Sequence, residues 1–183
     1  MPTYKQVAEW RHNETPIPAQ IRILKDITTH IQQKCGNANN IYWSVENNTL
    51  GEAALVVIAE MGEDNIPGTF VSQPRAQNRA YRKGFTTTNK SKLAACSKFK
   101  NWIETDKMTI YSKTLLQEVK TFVARGSGYA AKDGEKDDLV MASLLVVRIV
   151  QQVAQYDENA YDELRDTFSD EEKVEPMPFV FLT

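Results

Sequence analysis

Short strand-like segments alternate with segments of helical period along most of this 183-residue chain, and this alternation restricts the fold. The largely apolar run Ile41–Val45 is typical of a buried strand, whereas apolar residues from Ile17 to Ile31 follow the spacing of a helix. Strands are predicted at 4–10, 41–45, 69–72, 108–111 and 127–131, and helices at 16–35, 50–61, 91–104, 114–123 and 137–155. This order predicts an α/β fold with one sheet covered by helices.

The length of the chain suits one domain with its own core. We assign residues 1–156 to that domain and the strongly acidic residues 157–183 to a C-terminal tail. With 22 basic and 24 acidic residues, the overall charge gives no sign of nucleic-acid binding. Basic residues are concentrated between 75 and 100, however, and this asymmetry predicts a local anion-binding face.

The sequence contains no signal peptide, and no apolar run that we identify approaches the roughly 20 residues of a membrane span. Cys35 and Cys96 lie far apart and match no metal-ligand spacing, which fits a reducing compartment. We therefore expect a cytoplasmic protein without a membrane partner.

Two acidic clusters, one at the end of a predicted strand and one at the start of a predicted helix, suggest a metal site. Glu46 comes directly after the strand 41–45, and Asp137 and Asp138 open the last predicted helix. A carboxylate at the end of a buried strand is costly to ionise unless a cation or a donor meets it. Together the clusters suggest a shared divalent cation, the arrangement on which phosphodiester cleavage commonly depends.

Each acidic residue also has a simpler interpretation. Glu46 could cap the following helix, although Asn47 and Asn48 are good caps themselves and the ends of strands in open α/β sheets often bind ligands. One of Asp137 and Asp138 is expected to cap the last helix. Two adjacent carboxylates repel each other unless a cation offsets the charge, so ligation by either residue stays open.

The basic segment contains aromatic residues between its charges, Tyr81 and Phe85. This composition fits contact with a polynucleotide backbone, and a solvated loop is the alternative. The candidate DNA-binding residues are Arg82, Lys83, Lys90 and Lys92.

Three stretches, in order and with compatible spacing, resemble motifs of the nuclease domain of the tailed-bacteriophage terminase large subunit. Tyr42–Gly51 resembles its second acidic motif, and Gly84–Lys92 is similar to its Gly-x-x-Thr-x-x-x-Lys segment. Phe122–Met141 resembles the closing motif, although the family usually has His where this chain has Lys136. The resemblance covers roughly residues 4–155.

The resemblance implies an RNase H-like endonuclease, with a mixed sheet flanked by helices. That family cuts concatemeric double-stranded viral DNA for packaging and uses Mg²⁺ or Mn²⁺. It implies that Glu46 and one of Asp137 and Asp138 are metal ligands and that Lys90 or Lys92 lies along the DNA. A phage protein of this kind would act in the host cytoplasm, with the portal and the small terminase subunit as possible partners.

The chain departs from the family at its N-terminus, since residues 4–10 resemble the family's third strand. Another chain, or another part of a longer protein, would therefore supply the first strands, the first catalytic Asp that they carry and the ATPase domain. We expect weak or absent cleavage by this chain alone, and association through the exposed sheet edge. The alternatives are a non-catalytic packaging or docking module and another RNase H-like DNA enzyme, such as a junction resolvase.

Overall fold

A computed structural model describes residues 3–36, 38, 40–74, 83–126 and 128–171, with side chains up to residue 155. Within these residues the helices are α1 (Ile17–Cys35), α2 (Thr49–Met61), α3 (Asn89–Glu104), α4 (Lys113–Thr121) and α5 (Asp138–Glu171). The strands are β1 (Tyr4–Lys5), β2 (Tyr42–Trp43), β3 (Thr69–Phe70), β4 (Met108–Thr109), β5 (Phe122–Arg125) and β6 (Gly128–Ala131). The chain is therefore a mixed α/β protein, as its sequence predicts.

The strands form three two-stranded sheets in the described part of the chain, whereas the sequence analysis predicted one sheet. β1 pairs with β4 and β2 pairs with β3, both in parallel, and β5 and β6 form an antiparallel hairpin. The outer edge of β2, at Tyr42 and Ser44, makes no backbone hydrogen bond to another described strand. The parallel pairs are thus not joined through β2.

Several elements differ from their predicted bounds: β1 to β4 are shorter than the predicted strands, and α4 and α5 end at other residues than expected. α4 ends at Thr121, and the next residues form β5 instead of continuing the helix to Val123. Phe122 and Val123 favour strands and pair with Ala131 and Ala130 across the hairpin. α5 continues to Glu171, so the proposed start of the acidic tail at residue 157 is not a break in secondary structure.

Buried side chains form two separate clusters. The first contains Ile21 of α1, Trp43 of β2 and Ile58 of α2. The second joins α3, α4 and α5 through residues such as Trp102 and Val147, and Tyr4 of β1 stacks on Trp102 with 4.2 Å between ring centroids. Glu46, in the segment after β2, lies beside residues of α3 and α5.

The first half of α5, Asp138–Gln155, is long and apolar enough to cross a membrane when length and composition are the only criteria. The expectation that no segment meets that test is therefore wrong. Val140, Leu144 and Val147 of this stretch are buried in the second cluster, but only 28% of the stretch as a whole is buried.

Candidate functional site

The backbone on either side of Glu46 is held by the segment that precedes α3. Phe85 N–H donates to the carbonyl of Val45 at 3.0 Å, and Asn47 N–H donates to the carbonyl of Phe85 at 2.8 Å. Glu46 and Phe85 thereby form a parallel β-bridge that extends the β2–β3 pair. Gly84 makes this approach possible, because its φ is +77° and a Cβ there would lie 2.4 Å from the Val45 carbonyl oxygen.

On its other side, Glu46 is in close contact with the first turn of α2. A Cβ on Gly51 would lie 1.6 Å from the Glu46 carbonyl oxygen. Asn48 caps α2, since its Oδ1 accepts from Gly51 N–H at 2.8 Å, and its Nδ2 donates to Glu46 Oε2 at 3.2 Å. The alternative in which Glu46 caps α2 is therefore wrong, and its carboxylate is oriented by the residue that does cap the helix.

Glu46 lines a small pocket together with side chains from α3 and α5. The other lining residues are Thr87, Lys92, Ala95, Met141, Leu144, Leu145 and Arg148. Glu46 thus faces the helix that carries Asp137 and Asp138 at its start. The sequence predicted that these acidic clusters converge, and the structure brings them to the same region without joining them directly.

Lys92 pairs with one acidic cluster and lines the same pocket as the other. Its Nζ lies 3.9 Å from Asp137 Oδ2 and 5.2 Å from the centre of the Phe122 ring, and it also lines the Glu46 pocket. The Lys92 side chain is only 19% exposed, so its charge is partly shielded from solvent. Asp138, in contrast, is exposed.

Arg148 is a second cation in this region, and no sequence motif pointed to it. Its guanidinium donates to Gln73 Oε1 at 3.3 Å and to the Thr86 carbonyl at 3.2 Å, and lies 4.7 Å from the Phe85 ring centre. Burial lowers the pKa of Arg148, and the negative charge of Glu46 partly counters that effect. The only sequence signal was a charge on the apolar face of the last helix.

The start of α5 is capped from α4. Glu118 Oε2 accepts from Leu139 N–H at 2.7 Å and from Val140 N–H at 3.2 Å. Within the described hydrogen bonds, the side chains of Asp137 and Asp138 accept from neither group, so the expectation that one of them caps this helix is wrong. Sequence reasoning missed Glu118 because it lies 21 residues before Leu139 in the chain.

The predicted DNA-binding residues have different surroundings. Lys83 forms an ion pair with Glu63 and lies 5.9 Å from the centre of the Phe70 ring. Lys90 is exposed in the first turn of α3. Arg82 lies outside the described residues.

A divalent cation needs several oxygen ligands close together. Among the side chains described, no three His, Cys, Asp or Glu residues come together closely enough to hold a metal ion. Glu46 and Asp137 supply carboxylate oxygens of the type that Mg²⁺ and Mn²⁺ bind, but Lys92 already balances part of that charge. The described side chains thus do not form a divalent-cation site by themselves.

A comparison with models of known protein families finds no match for this chain.

Proposed function

We propose that this chain contributes Glu46, Asp137 and Asp138 to the metal-dependent endonuclease centre of a phage DNA-packaging terminase. The substrate would be concatemeric double-stranded DNA in the host cytoplasm, and the ion Mg²⁺ or Mn²⁺. The observation that carries the proposal is that Lys92 pairs with Asp137 and lines the same pocket as Glu46, although the two carboxylates are far apart in sequence. The proposed reaction, cleavage of DNA, comes from the resemblance of the three motifs and their order to those of the terminase nuclease domain.

The proposal includes a partner, because Glu46, Asp137 and Asp138 would hold one cation and not the two of a two-metal centre. A two-metal centre needs several converging carboxylates to hold cations close together. We propose that the ATPase portion or a complementary chain supplies a further Asp, on a strand that pairs with the edge of β2, at Tyr42 and Ser44, that bonds to no other described strand. An open strand edge is a ready template for such pairing.

Within this arrangement each residue of the chain has a defined task. Glu46 and Asp138 would bind the cation, and Asp137 would bind it once its ion pair with Lys92 is exchanged. Lys90, exposed at the start of α3, would contact a DNA phosphate, and Lys83 and Arg82 would extend that basic face. A bound cation would stabilise the negative charge that develops on the phosphate during cleavage.

A plasmid-cleavage assay in Mn²⁺ tests this proposal. We expect the purified, folded chain to cut supercoiled plasmid weakly or not at all, because its ligand set is incomplete. Strong cutting that Glu46→Ala and Asp138→Asn both abolish would show that the chain is sufficient by itself and would overturn the proposed partner. Strong cutting that neither substitution changes would show that Glu46 and Asp138 are not needed for cleavage and would overturn their assignment as metal ligands.

A non-catalytic packaging or docking module is the second candidate function. The ion pair of Asp137 with Lys92, and the charge of Arg148 near Glu46, favour it, because they balance the carboxylates without a metal. Such a module would grip DNA or dock on the portal, the motor or the small terminase subunit. It has no reason to bind Mn²⁺ at Glu46, so metal affinity separates it from the nuclease.

A further inference from the structure

Glu118 is a buried carboxylate that belongs to none of the sequence motifs. Only 4% of the residue is exposed, yet its carboxylate has three partners: the N–H groups of Leu139 and Val140, and the guanidinium of Arg11. Charge-assisted hydrogen bonds of this kind are stronger than neutral ones, and the N-terminus of a helix favours a negative charge. The arrangement fixes the first turn of α5 to α4.

Arg11 supplies the opposite charge from a distant part of the chain. Its Nη1 lies 2.8 Å from Glu118 Oε1, and the two residues are 107 positions apart. The Arg11 side chain is 36% exposed, whereas the Glu118 side chain is 5% exposed. Burying a charged carboxylate is costly unless it is paired, so the ion pair with Arg11 offsets part of the cost of burying Glu118 beside the helix start.

We infer that Glu118 is a positioning residue for the acidic pair at the start of α5. Aspartate is among the preferred residues for capping a helix, and Asp137 and Asp138 immediately precede Leu139 and Val140, whose N–H groups donate to Glu118. Because Glu118 occupies those groups, the carboxylates of Asp137 and Asp138 stay available for a cation. The cation in this inference rests on the proposed function. The capping exchange, in which Asp137 would cap α5 if Glu118 were absent, does not depend on that function.

A double-mutant cycle on the metal-free chain, with EDTA present, tests the capping exchange. In the parent chain, Asp137→Ala removes only a partly exposed contact with Lys92, and Tm should change by less than about 2–4 °C. In the Glu118→Ala background, Asp137 becomes the cap, and Asp137→Ala should lower Tm by about 2–4 °C more than it does in the parent. Additive changes in Tm would overturn the inference.

Amide chemical shifts give a second test with conservative variants, which serves if Glu118→Ala fails to fold. Glu118→Gln removes the charge at the cap and should move the amide proton shifts of Leu139 and Val140. Asp137→Asn should leave those two shifts nearly unchanged. The reverse pattern would show that Asp137 caps α5 and would contradict the inference.

Mn²⁺ titration connects the capping residue to the site. Glu118→Ala should weaken Mn²⁺ binding by about tenfold or more, as loss of an outer-sphere partner commonly does. Glu118→Gln should restore most of the affinity, because its amide oxygen can still accept from the helix. Equal affinity in Glu118→Ala and parent would refute the positioning role. If the parent binds no Mn²⁺, the proposed function fails while the thermal cycle still decides the capping exchange.

Discussion

Replacement of Gly51 by alanine is expected to destabilise the protein by at least about 3 kcal/mol and to displace Glu46. The new Cβ would lie 1.6 Å from the Glu46 carbonyl oxygen and 2.8 Å from the carbonyl carbon. No rotamer change relieves this overlap, because both obstructing atoms belong to the backbone. The first turn of α2 and the strand end that carries Glu46 must therefore move apart.

Thermal unfolding measures this effect. For a chain of this size, a loss of about 3 kcal/mol corresponds to a fall in Tm of about 6–12 °C. Gly128→Ala is the matched control, because a Cβ at Gly128 meets no atom within 4 Å and its φ is not positive. A Gly51→Ala variant that is as stable as Gly128→Ala would show that α2 does not approach Glu46 in this way.

Replacement of Gly84 by alanine is expected to combine two unfavourable effects. The left-handed backbone at φ +77° costs a residue with a Cβ about 1–2 kcal/mol, and the Cβ would also lie 2.4 Å from the Val45 carbonyl oxygen. That oxygen accepts the hydrogen bond from Phe85 N–H, so the contact can be relieved only by opening the bridge next to Glu46. We therefore expect a loss beyond the conformational cost.

Gly134→Ala separates the two effects in the same measurement. Gly134 has a similar φ of +84°, but a Cβ there meets nothing within 4 Å, so this variant reports the conformational cost only. Gly84→Ala should lower Tm clearly further than Gly134→Ala does. Equal losses for the two variants would mean that Gly84 does not support the bridge between Glu46 and Phe85.

Helical period and capping residues located most of the helices well. α2 and α3 begin within two residues of their predicted starts and end at their predicted ends, Met61 and Glu104, since Asn48 and Thr88 supply caps that are local in sequence. β5 was missed because its strand-forming residues continue directly from a helix, and only the pairing with β6 determines where that helix ends.

The assignment of Glu46, Asp137 and Asp138 to a metal site stays a prediction, whereas the contacts around them are given by the structure and were not predicted from the sequence. Glu46 and Asp137 were chosen as candidates because each adjoins a recognisable element. The cap supplied by Glu118 and the ion pair of that residue with Arg11 depend on contacts between distant segments, which periodicity does not reveal. The local sequence therefore predicted that Asp137 or Asp138 caps α5, whereas in the folded protein Glu118 caps it.

The central claim is that Glu46 and the acidic pair of α5 share a divalent cation, and a Mn²⁺ titration of the purified chain tests it most directly. Calorimetry should detect binding that Glu46→Ala and Asp138→Asn each weaken by at least about tenfold. Glu60→Ala and Asp26→Asn, which change exposed acidic residues outside the site, should leave the affinity unchanged. Absence of Mn²⁺ binding by the folded parent, or equal affinity in all four variants, would contradict the claim.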